Sequence, residues 1–548
     1  MRRAQPAPDP GPGPRPAPAD GAPGPAAEQL PPQGRAALRA GVVGNWVDNL
    51  HVFAPLMALA PALPELAGPG RELGAGALIV VAMLLGRPVG GVLLGRVSDR
   101  LGRTRTTRLA IAGTAACSLL IAVLPGHQVL GAGTMAAILV LRLAGGVFVA
   151  GEYSAAIPLA MEWSPGGRRG LMSGAILSMA PLAQATIAFA TAGLLSLLGP
   201  QAYAAWGWRL VFAAGGLASL SMLAYYSHRV VDAPIFHRQR AQAGPGSQPG
   251  PEWSGEPAQP GRGRGRSARP GPSDRGRLRA LLHGPWAPRF WQCMVLMTGL
   301  WCLTVAAVLL LSARLPALTG LSAAEVSVAM GIASVAQAAA MAWAGHLSTL
   351  VGRRCLLMAW GAVAGAVGPA AWWWAAGATT PAQAAVAAGL TQVATVSAYG
   401  PVAAYLSERF PTPVRSTGYG SAYSLSLIGP SLYPFYLPAL EARAGEGVTI
   451  TGLMALGGAL VILGARLGPA LSGEQIRDDL DRAALGEDRA GPRCASSDRG
   501  GISQWRDGAA LATAGCRERT EDAPQAPQDR RAGGGPVESG RTGRAEPL

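Results

Sequence analysis

Residues 95–105 read GRVSDRLGRTR, a turn rich in Gly, Asp and Arg that closes the apolar run GALIVVAMLLGRPVGGVLLG (76–95). A bilayer-spanning helix needs about 20 predominantly apolar residues, so this stretch puts a charged turn at one membrane face. The turn recurs. GHLSTLVGRRC (345–355) holds Gly352 and Arg353 at the offsets of Gly102 and Arg103, again after an apolar run. A second pair agrees: Glu162 stands seven residues before Arg169 in EWSPGGRRG, and Glu408 seven before Arg415 in ERFPTPVRSTG. Two copies of one unit, inserted in the same sense, account for both matches.

Composition supports a membrane protein. Of 548 residues, 49% are hydrophobic and 14% charged, and mean hydropathy is +0.25 although both ends and the centre are polar. Ten-residue alternating segments do not recur, which argues against a transmembrane barrel. The expected fold is an all-α polytopic membrane protein with spans at 39–66, 74–98, 107–125, 132–160, 169–198, 206–228, 290–313, 322–348, 354–376, 382–406, 415–440 and 448–468. That gives a six-helix half over 36–228 and another over 290–468. Residues 1–35, 229–289 and 469–548 hold too much Gly, Pro, Ser and Arg to bury a core and are expected to be disordered.

Arginine sets the orientation, since all 46 Lys and Arg residues are Arg. Arg96, Arg100, Arg103, Arg105, Arg108, Arg168, Arg169, Arg353, Arg354, Arg409 and Arg415 follow even-numbered spans, whereas Arg71, Arg314 and Arg443 follow odd ones. Basic residues favour the cytoplasmic side, so the linker and both termini are expected there, and Trp372, Trp373 and Trp374 near the outer face. The GRGRGR tract (261–266), despite a net charge of +15, reads as a topology-setting loop rather than a nucleic-acid contact. No apolar core follows MRRAQPAPDP, so no cleavable signal peptide is expected. Cys117, Cys293, Cys302, Cys355, Cys494 and Cys516 form neither a CxxC nor a disulfide framework, and no metal site is expected.

Ionisable groups at mid-bilayer cost on the order of 3 kcal/mol on insertion scales and mark function or pairing. Asp48, His51, Arg87, Arg142 and Glu152 are such groups, all in the first half, and two acids against two arginines predict mutual pairing. Within GNWVDNLHVFAP (44–55), Asn45, Asp48, Asn49 and Val52 share one helical face, and His51, three residues on, is placed to meet Asp48. Desolvation raises a carboxyl pKa and a nearby arginine lowers it, so alternating between the two environments would load and release a proton. Proton coupling is therefore assigned to Asp48, His51, Glu152 and Arg142. Solute binding is assigned to Asn45, Asn49, Arg87 and Arg142, with Gln337, Gln392, Tyr399 and Tyr423 from the second half. That half has no mid-span charge; it also offers Thr391 and Thr395, with Pro430, Pro434 and Pro438 to distort span eleven.

GRVSDRLGRTR resembles the signature between helices two and three of the major facilitator superfamily. GRPVGG (86–91), GEYSAAIPLAMEWSPGGRRGLMSG (151–174), WGWRLVF (206–212), DAPIF (232–236) and ERFPTPVRSTG resemble its metabolite:proton symporters, carriers of proline and betaine, shikimate, 2-oxoglutarate or citrate. The resemblance implies twelve transmembrane helices and gating at Gly95, Asp99, Arg100, Gly102 and Arg103. Asp99 would latch the halves through charge and a helix dipole, and the second copy carries Thr349 in its place. Glu162 with Arg169 and Glu408 with Arg415 are expected rim pairs. By the same resemblance the family has an acid at Asp48, another where His51 stands, and an aromatic pair at Asn49 and Leu50; Gly145 stands where a Gln is usual. Arg87, Arg142 and Glu152 match family motif positions.

The expected function is uptake of a small carboxylate or zwitterion by a monomer at the plasma membrane, driven by the proton gradient without a cofactor. A proton-antiporting exporter and a non-transporting sensor remain alternatives. No nucleophile, metal cluster or phosphate loop points to an enzyme.

Overall fold

The computed structural model describes residues 30–68, 72–234 and 281–470, with Arg279 and Leu480. The remainder of the expected disordered tails and linker lies outside the described residues, as do Cys494 and Cys516. Every regular element among the described residues is a helix. Those of eight residues or more are α1 (Pro32–Met57), α2 (Glu72–Leu101), α3 (Arg103–Ala122), α4 (Ala132–Trp163), α5 (Arg169–Leu177), α6 (Met179–Ala202), α7 (Trp208–Arg229) and α8 (Ala287–Thr304). After a π-helical turn at Val305–Leu310 come α9 (Leu311–Thr319), α10 (Ala323–Val351), α11 (Arg353–Ala376), α12 (Pro381–Val396), α13 (Val402–Arg409), α14 (Arg415–Leu425), α15 (Tyr433–Ala444) and α16 (Glu446–Arg466).

Eight helical stretches are long and apolar enough to cross a membrane. They cover the expected spans apart from 107–125, 382–406 and 415–440, with spans five and six merged in the 64-residue stretch Gly166–Arg229. The first exception begins with the arginines and threonines of α3, and the other two are divided into short helices. Around Pro430 and Pro434 the chain breaks into α14, a turn of helix at Ile428–Ser431, and α15, the distortion the prolines predicted. Residues 32–35, expected to be disordered, instead start α1, where Pro32 occupies a first-turn position that needs no donor. Trp372 is buried while Trp373 and Trp374 are about half-exposed.

Local chemistry sets the breaks. Gly102 (φ 103°) and Gly352 (φ 88°) take left-handed backbone between α2 and α3 and between α10 and α11, the two turns of the repeat. Ser322 and Glu325 form a reciprocal cap at the start of α10. The packing of α2 on α4 uses small residues: a Cβ at Gly86 would stand 2.1 Å from the Leu143 carbonyl oxygen, and one at Gly146 2.0 Å from that of Met83. Such close backbone approach is how helices associate where lipid removes the hydrophobic driving force. Helices α1–α4, α6 and α7 pack chiefly within their own group, as do α8, α9, α11, α12, α15 and α16, whereas α5, α10, α13 and α14 bridge the groups, the largest crossings being α2 on α14 and α10 on α5 and α6.

Candidate functional site

Where the two groups of helices face each other lies a cavity of about 80 Å³. It is lined mainly by α1, α2 and α6 on one side and by α8, the π-helical turn and α10 on the other. Of the expected binding residues, Asn49, Arg87, Gln337, Tyr399 and Tyr423 line it; Asn45, Arg142 and Gln392 do not. Asn45 instead ties helices together, its Nδ2 donating to the Ile176 carbonyl at 2.6 Å. Gln392 is buried near Ser334 at 3.5 Å, and Thr391 and Thr395 spend their hydroxyls on carbonyls of their own helix.

Arg87 sits in an aromatic cage. Its guanidinium carbon lies 4.8 Å from the ring centroid of Tyr153, 5.3 Å from Trp301 and 5.7 Å from Tyr423. These contacts hold a cation without hydrogen bonds, and Arg87 Nε and Nη2, both buried, have no hydrogen-bond partner. The cage is itself braced: Tyr153 stacks on Tyr423 at 5.0 Å, Trp301 meets Tyr423 edge-on at 5.4 Å, and Trp301 Nε1 donates to the Tyr423 carbonyl at 3.0 Å. Asn49 Nδ2 donates to Tyr153 Oη at 2.8 Å. Tyr153, Gln184, Trp301 and Thr304 also line the cavity, and sequence reasoning missed all four. A signal existed for two of them. Tyr153 follows Glu152 in the quoted GEY motif, and Trp301 is a tryptophan at mid-span, away from either interfacial belt.

Behind the cage, Asp48 and Glu152 are both buried and close enough for their carboxyls to interact. Thr114 Oγ1 donates to Glu152 Oε1 at 3.2 Å. Two neighbouring buried carboxyls disfavour carrying charge together, so the pair is suited to holding a proton. The expected partners differ. His51 does not turn to Asp48: its Nε2 is 2.7 Å from Ser219 Oγ on α7. Arg142 pairs with neither acid; its Nη2 donates to the His51 carbonyl at 2.8 Å and contacts Met83 Sδ.

The arginine-rich rim is closed by a crossed network. Glu162 Oε1 accepts from Arg103 Nη2 at 2.9 Å and from Arg415 Nη1 at 2.9 Å. Glu408 accepts from Arg353 at 2.5 and 2.6 Å and from Arg169 at 3.3 Å. Each acid thus takes an arginine from its own repeat and one from the other, correcting the expected pairs Glu162 with Arg169 and Glu408 with Arg415. Spacing within one repeat could not reveal a partner in the second copy. Asp99 reaches across to the second half: Oδ1 accepts from Ser416 N–H at 3.0 Å, and Oδ2 from Thr417 N–H at 2.8 Å and Thr417 Oγ1 at 2.7 Å. Those groups form the open N-terminal turn of α14, where a carboxylate meets both orphan donors and the helix dipole. Gly95 permits the approach, since a Cβ there would lie 3.0 Å from the Ser416 carbonyl oxygen. Arg103 also reaches Asp99 at 3.5 Å, Gly102 supplies the turn between them, and Arg100 is exposed on the rim.

The chain resembles known proteins at several levels. It is 30% identical over 233 residues to the glycine betaine/proline/ectoine/pipecolic acid transporter OusA of Dickeya dadantii (strain 3937), covering 39% of this chain and 45% of that protein. It is 30% identical over 200 residues to the alpha-ketoglutarate permease of Escherichia coli (strain K12), covering 36% and 44%. The chain therefore matches less than half the length of these curated relatives. Its fold is that of the proton:xylose symporter XylE solved with 6-bromo-6-deoxy-D-glucose, with a TM-score of 0.62 at 16% identity over 83% of this chain and 99% of that one. Residues 51–434 match the model of the Major Facilitator Superfamily, and this chain, a multi-pass membrane protein, belongs to that superfamily.

Proposed function

We propose that the chain is a proton-coupled secondary transporter that moves a small carboxylate-bearing metabolite into the cell by alternating access. In this reading twelve crossings form two six-helix halves in the plasma membrane, with both termini and the arginine-rich rim in the cytoplasm. The observation that carries it is the juxtaposition of Arg87, with two unspent buried donors, and the Asp48–Glu152 carboxyl pair behind it. Both a solute carboxylate and an ionised Asp48 would compete for one guanidinium. Protonation of the acid pair leaves Arg87 available to the solute, so the two cargoes bind together. Once the halves rock and the solute departs, Arg87 turns its charge back on Asp48 and the proton leaves. That order couples the fluxes without His51 and needs Arg142 only as a fixed charge anchored between α1, α2 and α4.

The relatives' names, a betaine and proline transporter and an alpha-ketoglutarate permease, support a carboxylate as the common element. The test is uptake into proteoliposomes under an imposed pH gradient, with betaine, proline, shikimate, citrate and 2-oxoglutarate offered in turn. Acidification outside should accelerate uptake of at least one, and Asp48→Asn should abolish the acceleration. Outward, proton-exchanging flux from inverted vesicles with no stimulated uptake would select an exporter instead.

A further inference from the structure

We infer that the cavity is built for a monoanion: a single carboxylate carried on a planar, largely apolar body, with neither a cationic head nor a second acid. The inference rests on the transporter reading for the cavity's identity as the solute site and goes beyond it in naming the ligand chemistry.

Charge decides first. Arg87 is the sole charged side chain among the residues lining the cavity, since Asp48, Glu152 and Arg142 stand behind that lining. A second carboxylate would have no second cation to meet. An ammonium would have no carboxylate to meet, and the aromatic faces that could hold it are occupied: Tyr153, Trp301 and Tyr423 already surround a guanidinium. Counting the deeper groups gives the same answer. Two arginines against two acids that share one proton leave one positive charge, which a monoanion cancels, a dianion overshoots and a zwitterion leaves in place. Uncompensated charge at this depth is strongly disfavoured.

Shape and polarity decide the rest. Beyond Arg87 the wall is chiefly aliphatic, with Val52, Leu84, Leu177 and Val308 among its residues, and Phe53, outside the cage, offers a ring against which a flat body can lie. Two amides interrupt it, and each has a buried group without a partner: Nε2 of Gln184, a donor, and Oε1 of Gln337, an acceptor. A hydroxyl, which both accepts and donates, can satisfy these groups. The ligand class is therefore an aromatic monocarboxylate, better with a ring hydroxyl than without one.

The test uses the full chain in lipid nanodiscs and equilibrium binding of radiolabelled benzoate, with 4-hydroxybenzoate, glycine betaine and succinate as competitors. Saturable benzoate binding is expected, displaced more effectively by 4-hydroxybenzoate than by benzoate itself and not displaced by the other two. Arg87→Gln should weaken benzoate at least about tenfold, the loss expected when a charged hydrogen bond is removed. Arg87→Lys should lose less, and Phe53→Leu, which keeps the cation, should weaken benzoate while leaving the folded, monodisperse protein intact. Absence of saturable benzoate binding, displacement by glycine betaine or succinate, or unchanged affinity in Arg87→Gln would each overturn the inference. Flux separates this from the broader reading. Proton-driven uptake of betaine without benzoate binding would sink the monoanion inference alone, and Arg87-dependent benzoate binding without flux in either direction would sink the transport reading alone.

Discussion

The internal repeat puts two equivalent helix crossings at the arginine-rich rim, and they are held by different forces. At the first, the end of α2 meets the start of α14, and Asp99 caps the incoming helix with three hydrogen bonds. At the second, the end of α10 meets the start of α5, and Thr349 stands where the acid would be, with an Oγ1 that has no hydrogen-bond partner. Packing runs the other way. A Cβ at Gly345 would lie 2.5 Å from the Gly174 Cα and 2.6 Å from the Gly170 carbonyl oxygen, against 3.0 Å for the nearest atoms at Gly95. One crossing thus relies on charge and the other on closer backbone approach. What the two share is the acid flanked by two arginines, which is the part of the lock that the repeat preserved.

If that shared part is the main lock, neutralising it should have the largest effect on either side. Glu408→Gln would leave Arg169 and Arg353 facing each other in a buried site, and Glu162→Gln would do the same to Arg103 and Arg415. Removing one partner of a buried ion pair costs about 3–5 kcal/mol, so each variant should shift the rim strongly toward its open form. Spin labels at the exposed positions Leu101 and Leu350, one in each repeat, would read that as a longer distance population. Equal shifts in the two variants are expected; a shift in one alone would mean that the two networks are not equivalent. Asp99→Asn comes next. It keeps the shape but gives up charge-assisted bonds worth about 1.5–3 kcal/mol each, and Thr349→Val at the matching position should move the same distance distribution hardly at all.

Backbone proximity gives the converse test. Overpacking typically costs about 1–3 kcal/mol, and at Gly345 the obstruction is backbone that cannot rotate away. Gly345→Ala should therefore open the rim more than Gly95→Ala in the same labelled pair. If Gly95→Ala opened it more, charge and close packing would not be distributed between the two crossings as argued here.

How much of this could be read in the sequence follows from what each signal reports. Hydropathy and the two-fold repeat identified the helices, the rim and the acids and arginines on it, because each is a local property of a stretch. The offset from Glu162 to Arg169 revealed that the motif was duplicated but not that Glu162 would choose Arg415, since a partner in the other copy is invisible to spacing within one. Asp48 and Glu152 were legible as intramembrane charges, whereas their pairing with each other required α1 and α4 to be placed side by side. His51 shows the limit of helical arithmetic: three residues from Asp48 brought it near enough to expect contact, yet its ring meets Ser219 instead. Trp301 and Tyr153 went unread because an uncharged aromatic in an apolar span looks like packing until the cation it surrounds is seen.

The smallest effect is the most direct test of why the two crossings differ. Thr349→Asp would restore the missing acid at the start of α5, beside Gly170, whose would-be Cβ position lies 2.2 Å from the present Thr349 Oγ1. The positive end of that helix dipole would then gain a facing carboxylate, a gain of about 1 kcal/mol by comparison with ordinary caps. Arg353 and Arg169 already converge on this corner through Glu408, so the new carboxylate would enter a positive field. A more stable closed rim must open more slowly at the same driving force, and 1 kcal/mol corresponds to roughly a fivefold change in an equilibrium. Under a fixed pH gradient, Thr349→Asp should lower the turnover of solute uptake by about that factor while leaving solute affinity unchanged, because Thr349 lies outside the cavity. Faster turnover would show that the neutral crossing already limits closure rather than opening, and that threonine there serves to keep the second latch weak enough to release.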